Sequence, residues 1–280
     1  MTRCFAFLIA ITTLGLGSAS GATEPATQSF IQAVERAIAG DRLIQAETMI
    51  ARSGSILETW ERGRLEAKLM LALRHDAEAF RRFERLLVED ASDCELLAGK
   101  GIAALRLARP NDAEPALLAA TAACPGLASA WSALAVVYDQ QAQRDAANAA
   151  YSRALAIDAN NPALLNNAGV SLLAQRRYAD AIGMFKRAIS LDPANQRAKN
   201  NLDIARVASG ERPSFDAEDD SQRRAERLNN AGYMALLAGD EIDAARYFSE
   251  AIKINPFEFM TAEANLRRAP ETAVEDAQIG

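Results

Sequence analysis

The chain of 280 residues is poor in the groups that usually carry chemistry. It holds one histidine, His75. A histidine-ligated metal site or a Ser-His-Asp triad needs more partners than that. His75 therefore reads as an exposed residue near a turn, and no catalytic residue or metal ligand is assigned. Cysteine occurs at Cys4, Cys94 and Cys124, never as Cys-x-x-Cys, which argues against a thioredoxin-like redox centre. The glycines form no phosphate-binding loop; Gly40-Asp41 and Gly239-Asp240 read as turns between helices, and no cofactor is expected. Aromatic residues make up 6% of the chain and the net charge is −6. That leaves neither a stacking platform nor a basic stripe for nucleic acid. An acidic run, Asp216 to Asp220, reads as a solvated loop rather than a cation site. The apolar run from Phe5 to Gly17 is too short for a comfortable bilayer span, which takes about 20 residues.

That run carries a different signal. Arg3 precedes it, and the small residues Ser18 to Ala22 follow it, as in a secretory leader cleaved near Ala22. Cys4 lies before the apolar core, so no lipid anchor is expected. The expected location is the periplasm or outside the cell, with no membrane span after cleavage. Export implies an oxidising compartment. There Cys94 and Cys124 have two alternatives. They form a bridge closing a loop of about 30 residues, which contributes about 3–4 kcal/mol, or they stay as two free packing residues.

What the chain has in abundance is alanine at a fixed spacing. Gly101, Ala135 and Gly169 are evenly spaced, as are Ala113, Ala147 and Ala181, and Ala120, Ala154 and Ala188. The shared interval is about 34 residues, and a repeat of this length sets the architecture. Numbering places from Ala128 and from Pro162, Trp131, Leu134, Ala135 and Tyr138 occupy places 4, 7, 8 and 11, matched by Leu165, Ala168, Gly169 and Leu172. Ala147, Tyr151 and Ala154 occupy places 20, 24 and 27, matched by Ala181, Phe185 and Ala188. Three- and four-residue steps put each set on one face of a helix. Small residues at 8 and 20 let the two helices approach, and aromatics at 24 fill the space between repeats. One such pair cannot bury its apolar face alone, so repeats must stack.

The ruler runs back through a copy at 94–127, where Pro115 is expected to distort the second helix, and a weaker copy at 60–93. Downstream, Gly232, Ala244, Phe248, Ala251 and Pro256 follow Gly169, Ala181, Phe185, Ala188 and Pro193 by one constant interval. That interval falls short of two full repeats, so one repeat is shortened. The resulting organisation is a leader at 1–22, a degenerate helical repeat at 23–59 and four repeats over 60–195. A shortened repeat with an acidic loop follows at 196–224, then a repeat at 225–258, a capping helix at 259–269 and a disordered tail at 270–280.

The repeat resembles the tetratricopeptide repeat. That resemblance implies an all-α, right-handed superhelical solenoid of antiparallel helix pairs whose concave groove, lined by the first helices, binds a protein or peptide. Three first helices carry double asparagines at places 5 and 6: Asn166-Asn167, Asn200-Asn201 and Asn229-Asn230. A carboxamide both donates and accepts, so such a row either grips the backbone of an extended peptide or bonds the neighbouring helix. Val170, Ile204 and Tyr233 stand beside it and offer apolar contact. The groove lacks the lysine and arginine set of a carboxylate clamp. The export signal, the Ala/Arg-rich array and the phrases NPALLNNAGVSLLAQRRYADAI and AEANLRRA resemble TadD-type proteins of the tight-adherence (Flp) pilus system. This implies a periplasmic scaffold, not an enzyme, whose partners are the pilus secretin or other Tad components. Two other readings stay open: a chaperone subunit for cytochrome c maturation and a regulator of cell-wall enzymes.

Overall fold

A computed structural model describes residues 24–213, 215, 219–255 and 260–267. The expected leader, Asp216, Glu218, Pro256 and the expected tail lie outside the described residues. The described residues are all-α, with fourteen α-helices, one short 3-10 turn and no strand among them; the helix pairs of the second unit stack as a solenoid. By its contacts the chain divides into two units, Met1–Arg82 and Phe83–Gly280.

The first unit contains α1 (Glu24–Ala39), α2 (Leu43–Ala51), the 3-10 turn Gly54–Ile56, α3 (Thr59–Ala72) and the start of α4 (Asp76–Glu89). Val34, Ala37, Ala46, Ile50, Leu57, Leu65 and Leu69 form its core. Helix α3 opens with a capping box in which Glu61 accepts from the Glu58 backbone N–H at 3.0 Å, closing two otherwise orphan donors.

The second unit carries the regular repeats. Their first helices are α5 (Cys94–Arg106), α7 (Ala128–Gln140), α9 (Pro162–Ala174), α11 (Gln196–Ala208) and α12 (Ser221–Ala238). The second helices are α6 (Pro110–Ala123), α8 (Arg144–Ile157), α10 (Tyr178–Leu191) and α13 (Glu241–Ile254), and α14 (Met260–Leu266) closes the series. Each of these second helices packs on the first helix of its own repeat, and α5, α7, α9 and α11 pack in succession on one another. Pro110 opens α6, where its missing N–H costs nothing, and α6 runs on through Pro115 as helix. Pro115 does not end the helix.

The spacing works through size. Ala113, Ala147, Ala181 and Ala244 at place 20, and Ala120, Ala154, Ala188 and Ala251 at place 27, are all 0% exposed. At place 8 the glycines receive the large residue of place 24. A Cβ at Gly169 would lie 2.5 Å from Phe185 Cε1, one at Gly101 2.5 Å from Leu117 Cγ, and one at Gly232 2.6 Å from Phe248 Cε1. Those distances are closer than carbon atoms can approach. The glycines therefore admit a buried ring or isobutyl group that itself contributes about 1.5–3 kcal/mol of burial.

The turn between the two helices of each repeat obeys the same ruler. Arg74, Ala108, Ala142, Arg176, Gly210 and Gly239 all have φ between 55° and 89°, at place 15. The next residue's N–H reaches back into the final turn of the first helix in every case, as in Arg177 to Leu172 and Asp240 to Ala235, both at 2.9 Å. This is the Schellman closure, which satisfies the last carbonyls of a helix with one left-handed residue. Side chains of Asp93, Asn161 and Asn195 cap the following first helices, as short polar side chains do.

The shortened repeat keeps α11 and its Gly210 turn and then has no second helix among its described residues. Place 8 of this repeat is Asp203, and place 3 of the next is Arg227, where the repeats from residue 94 onward otherwise carry buried Leu, Ala or Gly. The two meet. Arg227 Nη2 donates to Asp203 Oδ1 at 3.0 Å, its Nε to the other Asp203 oxygen, and its Nη1 to Asp219. The Arg227, Asp203 and Asp219 side chains are 5%, 2% and 6% exposed, and Arg227 also lies 5.9 Å from the Phe215 ring centroid. Burial works against the guanidinium, and the two carboxylates outweigh it, so the Arg227 pKa is raised. Asp219 is thus a buried ion-pair partner and not part of a solvated acidic loop. Asp220 caps α12 by accepting from Arg223 N–H.

Candidate functional site

Helices α7, α9 and α11 lie side by side, so places 5, 6 and 9 of three repeats share one face. Asn166, Asn167, Val170 and Asn201 come together there around a recess of about 490 Å³, with Val136 and Asp139 from α7 on its opposite wall. The two valines are place 9 of successive repeats, and Val170 is 42% exposed.

The asparagines divide by role. Asn166 is 3% exposed and accepts from Asn201 Nδ2 at 2.8 Å. That bond ties α9 to α11 and fixes both carboxamides. Asn167, at the mouth, has no side-chain hydrogen-bond partner among the described residues, so its donor and its acceptor are both available. Asn200 accepts from Gln196 within α11 at 2.9 Å, and Ile204 is half-buried on the same helix. Asn229, Asn230 and Tyr233 sit on α12 and do not line this recess. Asn229 accepts from Asn265 of α14 at 3.1 Å, and Tyr233 is 44% exposed.

A polar network supports the recess from below. Ser171 Oγ donates to Asp139 Oδ1 at 2.7 Å, and Tyr151 is hydrogen-bonded to the same carboxylate. Gln175 and Asn148 exchange two bonds of 3.1 Å, and Gln175 also donates to Ser171 Oγ at 3.2 Å. Burial pushes the Tyr151 phenol well up, reinforced by the Asp139 charge. The phenol therefore stays a donor across the accessible pH range. A second recess of about 420 Å³ lies between the second helices α8 and α10, beside Gly183 and Arg187.

Cys94, at the start of α5, and Cys124, just after α6, are disulfide-bonded with Cα atoms 5.9 Å apart. Among the described residues no group of three His, Cys, Asp or Glu could hold a metal ion, and no helix is long and apolar enough to cross a membrane.

Stacked helix pairs that present a recess lined by carboxamides and valines define a protein-interaction scaffold. Residues 128–161 and 162–195 both match models of the tetratricopeptide repeat, so this stretch of the chain carries two tetratricopeptide repeats. It is 32% identical over 118 residues to the type IV pilus assembly protein PilF of Pseudomonas aeruginosa, covering 41% of this chain and 46% of PilF. The chain thus matches less than half the length of that relative. The fold is similar to PilW, a widely conserved type IV pilus biogenesis factor, with TM-score 0.54, 18% identity, and 88% and 99% of the two chains covered. It is also similar to a thermophilic tetratricopeptide-repeat protein of Thermus thermophilus, with TM-score 0.56, 19% identity, and 64% and 98% covered.

Sequence reasoning passed over Asp139, Arg197, Asp203, Arg227 and Asn265. A charged residue at a place held by Leu, Gly or Ala in the other repeats from residue 94 onward was the available sign for Asp203 and Arg227. For Asp139 no sign existed, because its partners come from other helices, α8 and α9.

Proposed function

We propose that this protein is a periplasmic assembly factor of a pilus of the Flp/Tad class, and that it holds an extended segment of the secretin or another pilus component on the face of its first helices. The observation that carries this is the recess between α7, α9 and α11. It combines an unspent carboxamide on Asn167 with aliphatic walls from Val136 and Val170. Main-chain hydrogen bonds from a carboxamide give affinity for an extended chain, and aliphatic walls take an alternate side chain. The likeness to PilF supports the pilus setting. The leader-like sequence at 1–22 and the Cys94–Cys124 pair support an exported, oxidising location.

The test is recovery of partners with tagged full-length protein from the native host, comparing wild type with Asn167→Ala/Val170→Glu. Both substitutions sit on the exposed side of α9 and leave the core intact. Secretin or Tad components recovered with wild type and lost with the variant are the expected result. Cytochrome-maturation or cell-wall proteins in their place would overturn the pilus assignment.

A further inference from the structure

The recess contains a carboxylate that the fold does not neutralise. Asp139 lines it from the last turn of α7. Its hydrogen bonds come from two neutral hydroxyls, Ser171 at 2.7 Å and Tyr151. No lysine, arginine or histidine among the described residues pairs with it. Arg197 reaches the same recess from the first turn of α11, but it is exposed and forms no ion pair among the described residues. Burial raises the Asp139 pKa, and the two hydroxyl bonds only partly oppose it, as expected for a charge left without a countercharge.

We infer that the recess takes one basic side chain of the bound segment, its alkyl stem against Val136 and Val170 and its cation on the Asp139 carboxylate. The inference rests on the reading of this face as a peptide site. Each part of such a residue meets a matching surface. Long basic side chains lay their methylenes on aliphatic surface while the head group seeks a polar partner. A carboxylate held only by neutral donors keeps lone pairs for a charge-assisted bond, stronger than either hydroxyl contact. Arg197 on the rim sets a limit, because a second cation beside the first would meet like charge. The favoured segment therefore carries a single lysine or arginine among neutral and apolar residues, not a polybasic run.

The test is selection of a phage-displayed random-peptide library on the full-length wild-type protein, on Asp139→Asn and on Asn167→Ala/Val170→Glu. The expected result is one fixed basic position in the wild-type consensus, lost with Asp139→Asn while peptides of the same apolar pattern are still selected. Replacing that basic residue by norleucine in a wild-type-selected peptide should weaken binding about tenfold or more. A wild-type consensus without a basic position, whose binding still falls in the Asn167/Val170 variant, overturns the inference and leaves the peptide site standing. Peptides that bind the Asn167/Val170 variant as well as wild type overturn both. The wild-type consensus decides on its own if Asp139→Asn does not fold.

Discussion

Two glycines on adjacent helices of one repeat allow a stringent test of the packing. Gly169 is in α9 with Phe185 against it; Gly183 is in α10, exposed, with nothing within 4 Å of where a Cβ would stand. Changing either to alanine gives the same gain in helix propensity, about 1 kcal/mol. At Gly169 the new methyl would fall 2.5 Å from Phe185 Cε1 and 2.9 Å from both Cδ1 and Cζ. Phe185 is 0% exposed, so the ring has no free direction in which to withdraw. Overpacking of this kind costs about 1–3 kcal/mol. Gly183→Ala should therefore stabilise the protein by up to about 1 kcal/mol, while Gly169→Ala is neutral to destabilising by about 2 kcal/mol. The propensity term cancels between the two variants, so their difference reads the contact alone. Urea denaturation followed by far-UV circular dichroism measures it. In a Gly169→Ala background, Phe185→Leu should recover part of the loss. Equal stability of the two alanine variants would refute the account of place 8.

Other substitutions probe separate features. Arg227→Ala removes the cation shared by two buried carboxylates and should cost about 3–5 kcal/mol; a change below about 1 kcal/mol in the stability read from urea denaturation, the scale of a surface ion pair, would show that the cluster is solvated. Reduction of the Cys94–Cys124 bond should lower stability by about 3–4 kcal/mol, seen as a lower Tm in reductant that is absent from a Cys94→Ser/Cys124→Ser variant. Ala142 has φ 58° in its turn, so Ala142→Gly should raise stability by about 0.5–1 kcal/mol; a loss instead would contradict the left-handed cap.

The repeat was legible because its contacts are local and size-coded. Gly169 and Phe185 belong to the same repeat, and the copies with Gly101 and Gly232 pose the same steric question. The turn at place 15 was not legible, because Arg74, Ala108, Ala142 and Arg176 lack the glycine that usually marks a left-handed residue. The hydrogen-bonded closure from one helix to the next holds them there. The shortened repeat was recognised from the slip in spacing downstream of Pro193, yet the use of the vacated space was hidden. It needs Asp203 from α11, Asp219 from the connection and Arg227 from α12, three groups joined only in the fold. At the site, Asn166 and Asn167 are neighbours in sequence with opposite fates, one buried against Asn201 and one at the mouth of the recess. Place in the repeat puts both near the groove; the packing of α11 on α9 decides which of them faces it.

The most direct test of the central claim, that a partner segment binds on the face of the first helices, is site-specific photocrosslinking in the native host. A photoreactive residue at Val170 or Tyr233 reports on that face, and one at Gly183 or Ile157 reports on the second helices. The account predicts a shared partner adduct from Val170 and Tyr233 and none from Gly183 or Ile157. Adducts from Gly183 or Ile157 with none from Val170 would contradict it and move the binding surface to the second helices.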